Sequence, residues 1–276
     1  MKTLKHFLKA ALLLAVAVAC GPKAPKAPKI LVLYYSQTET TKTVAEAIAT
    51  RLGADIEAIA PVAPYNGTYQ ETIERGRKEL QEQSFPAIQP LTAAISAYDV
   101  IFLGYPIWFG TYANPIATLL DDVDFSGKKI VPFCTFGSGG LEASVRNLTA
   151  KLPESTILPG YGVRSARIEA MPDEIDRFLK VGGFLAGEVE PLADFPDAHP
   201  ASEAEAAIFD AAVGDYPMIH ATAAFVADRA IPGGTEYCFT SIDLPREGMP
   251  QREPQEFKIY VTALDGQPPV FTRVVR

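Results

Sequence analysis

The chain is short of the residues that build most metal and nucleophilic sites. It has three cysteines, three histidines and one tryptophan in 276 residues. Cys20, Cys134 and Cys238 are scattered along it, which excludes a disulfide framework and a thiolate metal cluster; Cys134 and Cys238 read as small buried hydrophobes. His199 and His220 have no partner at metal-ligand or catalytic spacing, so neither receives a role. Positive charge is scarce too, with 25 Lys and Arg against 33 Asp and Glu, a net −8. Nucleic acid is therefore excluded as an expected partner.

No apolar run is long enough to cross a bilayer comfortably. The most apolar stretch, Ala10 to Val18, follows Lys2, Lys5 and Lys9 and ends in Ala17-Val18-Ala19-Cys20. Residues 1–19 resemble a bacterial lipoprotein signal cut before Cys20, whose sulfur would carry the lipid. Ala17 stands where leucine is usual, and an ordinary secretory signal or an uncleaved anchor are the alternatives. Residues 20–29 contain Pro-Lys-Ala repeats that favour extended polyproline backbone and serve as a tether. At roughly 3.1 Å per residue it spans about 20–30 Å. The expected location is the cell envelope outside the cytoplasm, with membrane contact through the anchor.

From residue 30 to 187 strand-like and helix-like stretches alternate, which argues for an α/β domain with a parallel sheet covered on both sides. Ile30 to Tyr35 is an unbroken apolar and aromatic run, and Val44, Ile48 and Leu52 then recur every four residues. Asp55 to Ile59 is a second strand, followed by helix from Thr68 to Gln83 and a short one around Leu91 to Ala97. Val100 to Gly104 is a central strand leading into an apolar loop, Tyr105 to Thr111, and Asn114 is expected to cap the next helix. Ile130 to Thr135 is a strand despite Pro132; a glycine-rich loop and a helix over 141–152 follow it. A weak strand near 156–163 and a helix opened by Pro172 complete the domain.

Residues 188–200 are rich in Pro and Asp and read as a linker. Ser202 and Glu205 have capping-box spacing, predicting a helix to about Val213. Strand-like runs at 219–227, 236–242, 257–264 and 270–275 follow, with Asp265-Gly266 as a turn and 245–254 as an exposed loop. Residues 201–276 thus form a small α+β domain, cystatin-like in outline by element order alone.

Three loops follow strands of the first domain, and in open parallel sheets ligands bind beyond the carboxyl ends of the strands. Ser36-Gln37-Thr38-Glu39-Thr40-Thr41 offers hydroxyls and a helix N-terminus suited to a phosphate, although plain helix capping explains the same residues. Pro106, Ile107, Trp108, Phe109 and Gly110 form a loop with an aromatic shelf, and Tyr112 is a candidate for a second ring contact. Thr135, Phe136, Gly137 and Gly140 belong to a loop whose backbone can approach a flat ring, with Ser138 either a cap or a ligand. Tyr65, Asn66 and Tyr69 lie near enough to line the cleft.

These loops resemble those of the flavodoxin family, in its short-chain form. The family's Ser/Thr-x-Thr-Gly-x-Thr loop aligns with Ser36 to Thr41, Gly-Tyr-Pro-Ile-Trp with Gly104 to Trp108, and Thr-x-Gly-Ser-Gly with Thr135 to Gly139. The resemblance implies a doubly wound five-stranded sheet of order 2-1-3-4-5 and noncovalent FMN. No catalytic side chain is needed, since the flavin carries the redox chemistry and the protein tunes it. Glu39 departs from the pattern, replacing glycine with a carboxylate near a phosphate, and Lys42 is placed to offset it.

The expected function is electron transfer by a membrane-tethered FMN flavoprotein to or from a redox protein or a small-molecule acceptor. Two rival readings stand beside it: an FMN-dependent NAD(P)H or quinone reductase, and a flavin-free binding protein built on the same scaffold.

Overall fold

The computed structural model describes residues 27–214, 216, 219–243 and 255–276. The signal segment, Cys20, most of the tether and all of the 245–254 loop lie outside the described residues. Among the described residues, no helix is long and apolar enough to cross a membrane.

The first domain is a parallel sheet with helices on both faces. β1 (Ile30–Tyr34) pairs with β2 (Asp55–Ala58) on one side and β3 (Val100–Trp108) on the other. β3 in turn pairs with β5 (Lys129–Phe136). The outermost position is shared by β6 (Thr156–Ile157) and β7 (Tyr161–Arg164), both parallel to β5. The expected 2-1-3-4-5 order is therefore present, with the fifth strand split in two. The split explains how Pro132 enters a central strand. β6 pairs with Lys129 and Ile130 and β7 pairs from Phe133 onward, so Pro132 sits at the break, where its missing N–H removes no pairing to the outer strand.

Side chains alternate across the sheet and build a core on each face. Leu31, Leu33, Ile101 and Leu103 pack on one side with Ile116, Leu119 and Phe125. Val32, Phe102 and Val131 pack on the other with Val44, Ile48, Ile175 and Leu179. The four-residue repeat read in the sequence is the buried stripe of α1 (Thr40–Leu52), and each such aliphatic burial contributes about 1.5–3 kcal/mol. Ile175 and Leu179 are the corresponding face of α5 (Met171–Val181), while Phe178 is half-buried.

The intervening helices are α2 (Tyr69–Glu82), α3 (Asn114–Asp122) and α4 (Leu141–Lys151). α2 opens on a capping box between Thr68 and Glu71, yet buries only Gly76. Two expectations are corrected here. The apolar loop after Gly104 is a continuation of β3, which turns back at Phe109 and Gly110 into the short β4 (Thr111–Tyr112). Asn114 does not cap α3, whose N-cap is Ala113; its Nδ2 donates instead to the carbonyl of Gly76 and to Glu79, drawing α2 onto α3.

The second domain places α6 (Glu203–Val213) against an antiparallel sheet of order β12-β11-β10-β9-β8. The strands are β8 (His199–Pro200), β9 (Ala221–Ile231), β10 (Gly234–Asp243), β11 (Glu256–Leu264) and β12 (Val270–Val275). The Ser202 and Glu205 capping box is present. The core of this domain contains Phe209, Phe239, Ile259 and Phe271. β8 pairs with β9, so the last two residues read as linker already belong to this sheet.

Candidate flavin site

β1, β3 and β5 run parallel, so the loops at their carboxyl ends meet at one edge of the sheet. The first loop enters α1 through Glu39, whose backbone is left-handed at φ 62° and whose side chain does not cap the helix. The first-turn N–H groups have no intrahelical acceptor, and Glu39 caps none of them with its side chain. Ser36 Oγ accepts the Lys42 N–H at 3.2 Å, leaving its own proton to donate. Thr38 and Thr40 hold their hydroxyls 3.4 Å apart, and Thr38 is exposed. This arrangement of donors at a helix N-terminus fits a phosphate dianion.

The other three members of the loop do different work. Thr41 is buried beneath it, where Thr41 Oγ1 and Thr135 Oγ1 lie 2.8 Å apart. These two expected cofactor contacts form the floor that fastens the first loop to the third. Gln37 points sideways, accepting the Tyr35 hydroxyl proton at 2.5 Å and donating to the Tyr65 carbonyl at 2.7 Å. Glu39 projects outward and pairs with Lys42 at 2.6 Å, and that hydrogen bond raises the lysine above its ordinary pKa. The Glu39 side chain is 71% exposed, so its charge is screened by solvent and sits beside the compensating Lys42 ammonium.

In the second loop Pro106, Ile107 and Trp108 are half-buried, and Phe109 and Gly110 form the exposed tip with φ of 51° and 84°. Trp108 stands edge-on to Tyr35 and Tyr65, with ring centroids 5.8 and 4.9 Å away. Tyr65 is fixed in turn: its hydroxyl donates to Glu79 at 2.5 Å, while Arg75 lies 3.9 Å over its ring and donates to Glu79 at 2.8 Å. Burial and the Glu79 carboxylate push the Tyr65 phenol well above its ordinary range, so it stays a neutral donor. The Tyr35–Tyr65–Arg75–Glu79 cluster thus holds both Gln37 and Trp108. The sequence marks only Tyr65 of these four as a candidate, since nothing local distinguishes Tyr35, Arg75 or Glu79. Tyr69 is at the start of α2 and 81% exposed, and Asn66 is also exposed.

Tyr112 and Phe136 are packed as core residues. Tyr112 is half-buried against Tyr105, ring centroids 6.1 Å apart, and Phe136 is the buried last residue of β5. Gly140 closes the third loop on the second, because a Cβ there would sit 2.7 Å from Ile107 Cγ2. Gly137 is exposed, and its carbonyl accepts from Arg164 Nε at 2.7 Å.

A family model described as Flavodoxin matches residues 29–173, just over half of the chain. The chain belongs to the flavodoxin family. FMN is that family's cofactor, and the protein is a flavodoxin-like flavoprotein. A curated relative, an NAD(P)H dehydrogenase (quinone) of Gluconacetobacter diazotrophicus, is 36% identical over 93 residues. That match takes in 34% of this chain and 45% of the relative, so the chain spans less than half of the relative's length. Among solved structures, one described as a flavoprotein from Bacteroides eggerthii is 32% identical, with 54% of this chain and 99% of that chain covered and a TM-score of 0.47. A flavoprotein in complex with FMN from Lactobacillus acidophilus is 24% identical, with 54% and 99% covered and a TM-score of 0.46. In this flavodoxin domain the Ser36–Thr41 loop, the Trp108 hairpin and the glycine loop meet at one edge of the sheet, where the family resemblance expects the cofactor.

Proposed function

We propose that this flavodoxin is an electron carrier that exchanges electrons with a redox protein or a small-molecule acceptor. The observation that carries the reading is the convergence of three loops of different chemistry at the carboxyl edge of one sheet. Thr38, Thr40, the Ser36 hydroxyl and the N–H groups of Thr40 and Thr41 at the start of α1 would bind the phosphate. Trp108, held on edge by Tyr35 and Tyr65, would border the ring on one side, and the peptide groups from Gly137 to Gly140 would border it on the other. Bound FMN supplies reversible one- and two-electron chemistry. The surrounding acidic chain disfavours added negative charge on the ring and steers basic partners. Attachment to a membrane outside the cytoplasm through Cys20 is supported by the lipobox-like segment, and a Cys20→Ala chain would leave the membrane fraction. Titration with FMN tests the core of the reading: flavin fluorescence should be quenched at stoichiometric protein, and unquenched flavin with a colourless protein would reject it.

The partial identity to the NAD(P)H dehydrogenase (quinone) favours a second reading, an FMN-dependent quinone reductase. Steady-state oxidation of NADH or NADPH by the purified holoprotein with a quinone would select it over the carrier.

A further inference from the structure

The third loop has two owners. Besides lining the flavin cleft, it is where the second domain docks. Val274 N donates to the Ser138 carbonyl at 2.6 Å, forming an isolated parallel bridge between β12 and Gly139. A Cβ on Gly139 would lie 2.2 Å from the Val274 carbonyl oxygen, so only glycine lets the strand come this close. Arg273 on β12 reaches Glu142 at 3.7 Å.

Arg164 ties the junction from beneath. It ends β7, is 9% exposed, and sends Nε to the Gly137 carbonyl at 2.7 Å and Nη1 to the Phe271 carbonyl at 2.8 Å. Its guanidinium lies 4.1 Å from the Phe271 ring centroid and 5.0 Å from that of Tyr216. Among the described residues no carboxylate pairs with it. A buried guanidinium needs its donors satisfied, and here carbonyls and ring faces of two domains do so together. Its positive charge therefore lies beside the Gly137 end of the third loop, with no carboxylate among the described residues paired to it.

We propose that Arg164 is a positioning residue through which the second domain sets the conformation of the third flavin loop, and with it the affinity and potential of the flavin. The proposal rests on the FMN reading. Two of the loop's carbonyls, at Gly137 and Ser138, are held by this junction, so the peptide groups offered to the ring depend on docking. The guanidinium charge at this loop favours the more negative reduced flavin. Docking and FMN binding are then linked, and linkage is reciprocal: whatever docking does for FMN, FMN does for docking.

The test uses the full chain. Arg164→Met should weaken FMN binding by about tenfold in a quenching titration and lower the midpoint potential. Arg164→Lys keeps the charge without the two-pronged fork, and should restore the potential more than the affinity. Gly139→Ala leaves Arg164 in place and wedges β12 away, and should also weaken FMN. In the wild type, FMN should slow hydrogen exchange of the Val274 amide, a readout that survives if an Arg164 variant fails to fold. Absence of FMN binding by the wild type would overturn this proposal and the cofactor reading together. FMN binding by the wild type, with affinities within about twofold in Arg164→Met and Gly139→Ala and unchanged exchange at Val274, would overturn the coupling alone.

Discussion

Thr41 and Thr135, 94 positions apart in the chain, share a buried hydrogen bond of 2.8 Å beneath the Ser36–Thr41 loop. One stands in the first turn of α1 and the other near the end of β5, so this contact fixes the spacing of the first and third loops. Thr135→Val would leave the Thr41 hydroxyl buried without its partner and cost about 1–3 kcal/mol in chemical denaturation. The double variant Thr41→Val, Thr135→Val should recover part of that loss, because neither hydroxyl is then orphaned.

Thr38 and Thr40 should respond in the opposite way. Their removal by alanine leaves the core intact, so the denaturation midpoint should hardly move. Each lost charge-assisted bond to the phosphate is worth roughly 1.5–3 kcal/mol, so FMN affinity should fall by about one to two decades per hydroxyl. Riboflavin, which lacks the phosphate, should show no such loss.

Glu39→Gly separates backbone strain from charge. The left-handed backbone at φ 62° costs a residue with a side chain about 1–2 kcal/mol. The exposed pair with Lys42 returns about 0–1 kcal/mol, so the glycine variant should melt at a higher temperature. It also frees Lys42 to face the phosphate, and FMN binding should tighten at low ionic strength. That gain should shrink as salt is raised, which titrations at two salt concentrations would show.

Glu205 gives the second domain an acid-sensitive helix. Hydrogen bonds from the Ser202 hydroxyl and backbone N–H lower its pKa, with a smaller contribution from His199. A depressed carboxyl pKa adds stability above the unfolded value, near 4.3, and loses it as pH falls through the folded value. Wild type should therefore exceed Glu205→Gln by on the order of 0.5 kcal/mol at pH 7. Thermal melts should show the difference closing below about pH 4.

Much of this molecule was legible in the sequence because its signals are local. The run from Ile30 to Tyr35, the repeat of Val44 and Ile48, and the Ser202–Glu205 spacing each declare an element within a few residues. The Trp108 hairpin was hidden by its turn: Phe109 adopts positive φ without being glycine or asparagine, and Pro106 argues against strand. Capping by Asn114 was a sound local expectation that lost to a tertiary partner, since its amide is worth more between Gly76 and Glu79 than on its own helix. The floor and the junction could not be seen at all. Thr41 with Thr135, and Arg164 with Phe271, are pairs whose partners lie about a hundred residues away, and no periodicity marks them.

The start of the sheet has a consequence for how the molecule faces its surroundings. Lys29 N donates to Asp99 at 2.7 Å, which pins the chain where β1 begins. The flavin loops lie at the other end of that strand, a distance of roughly 16 Å at about 3.3 Å per residue. Anything that grips the protein through residues before Lys29 therefore holds it by the base of the sheet, at the end opposite the three converging loops.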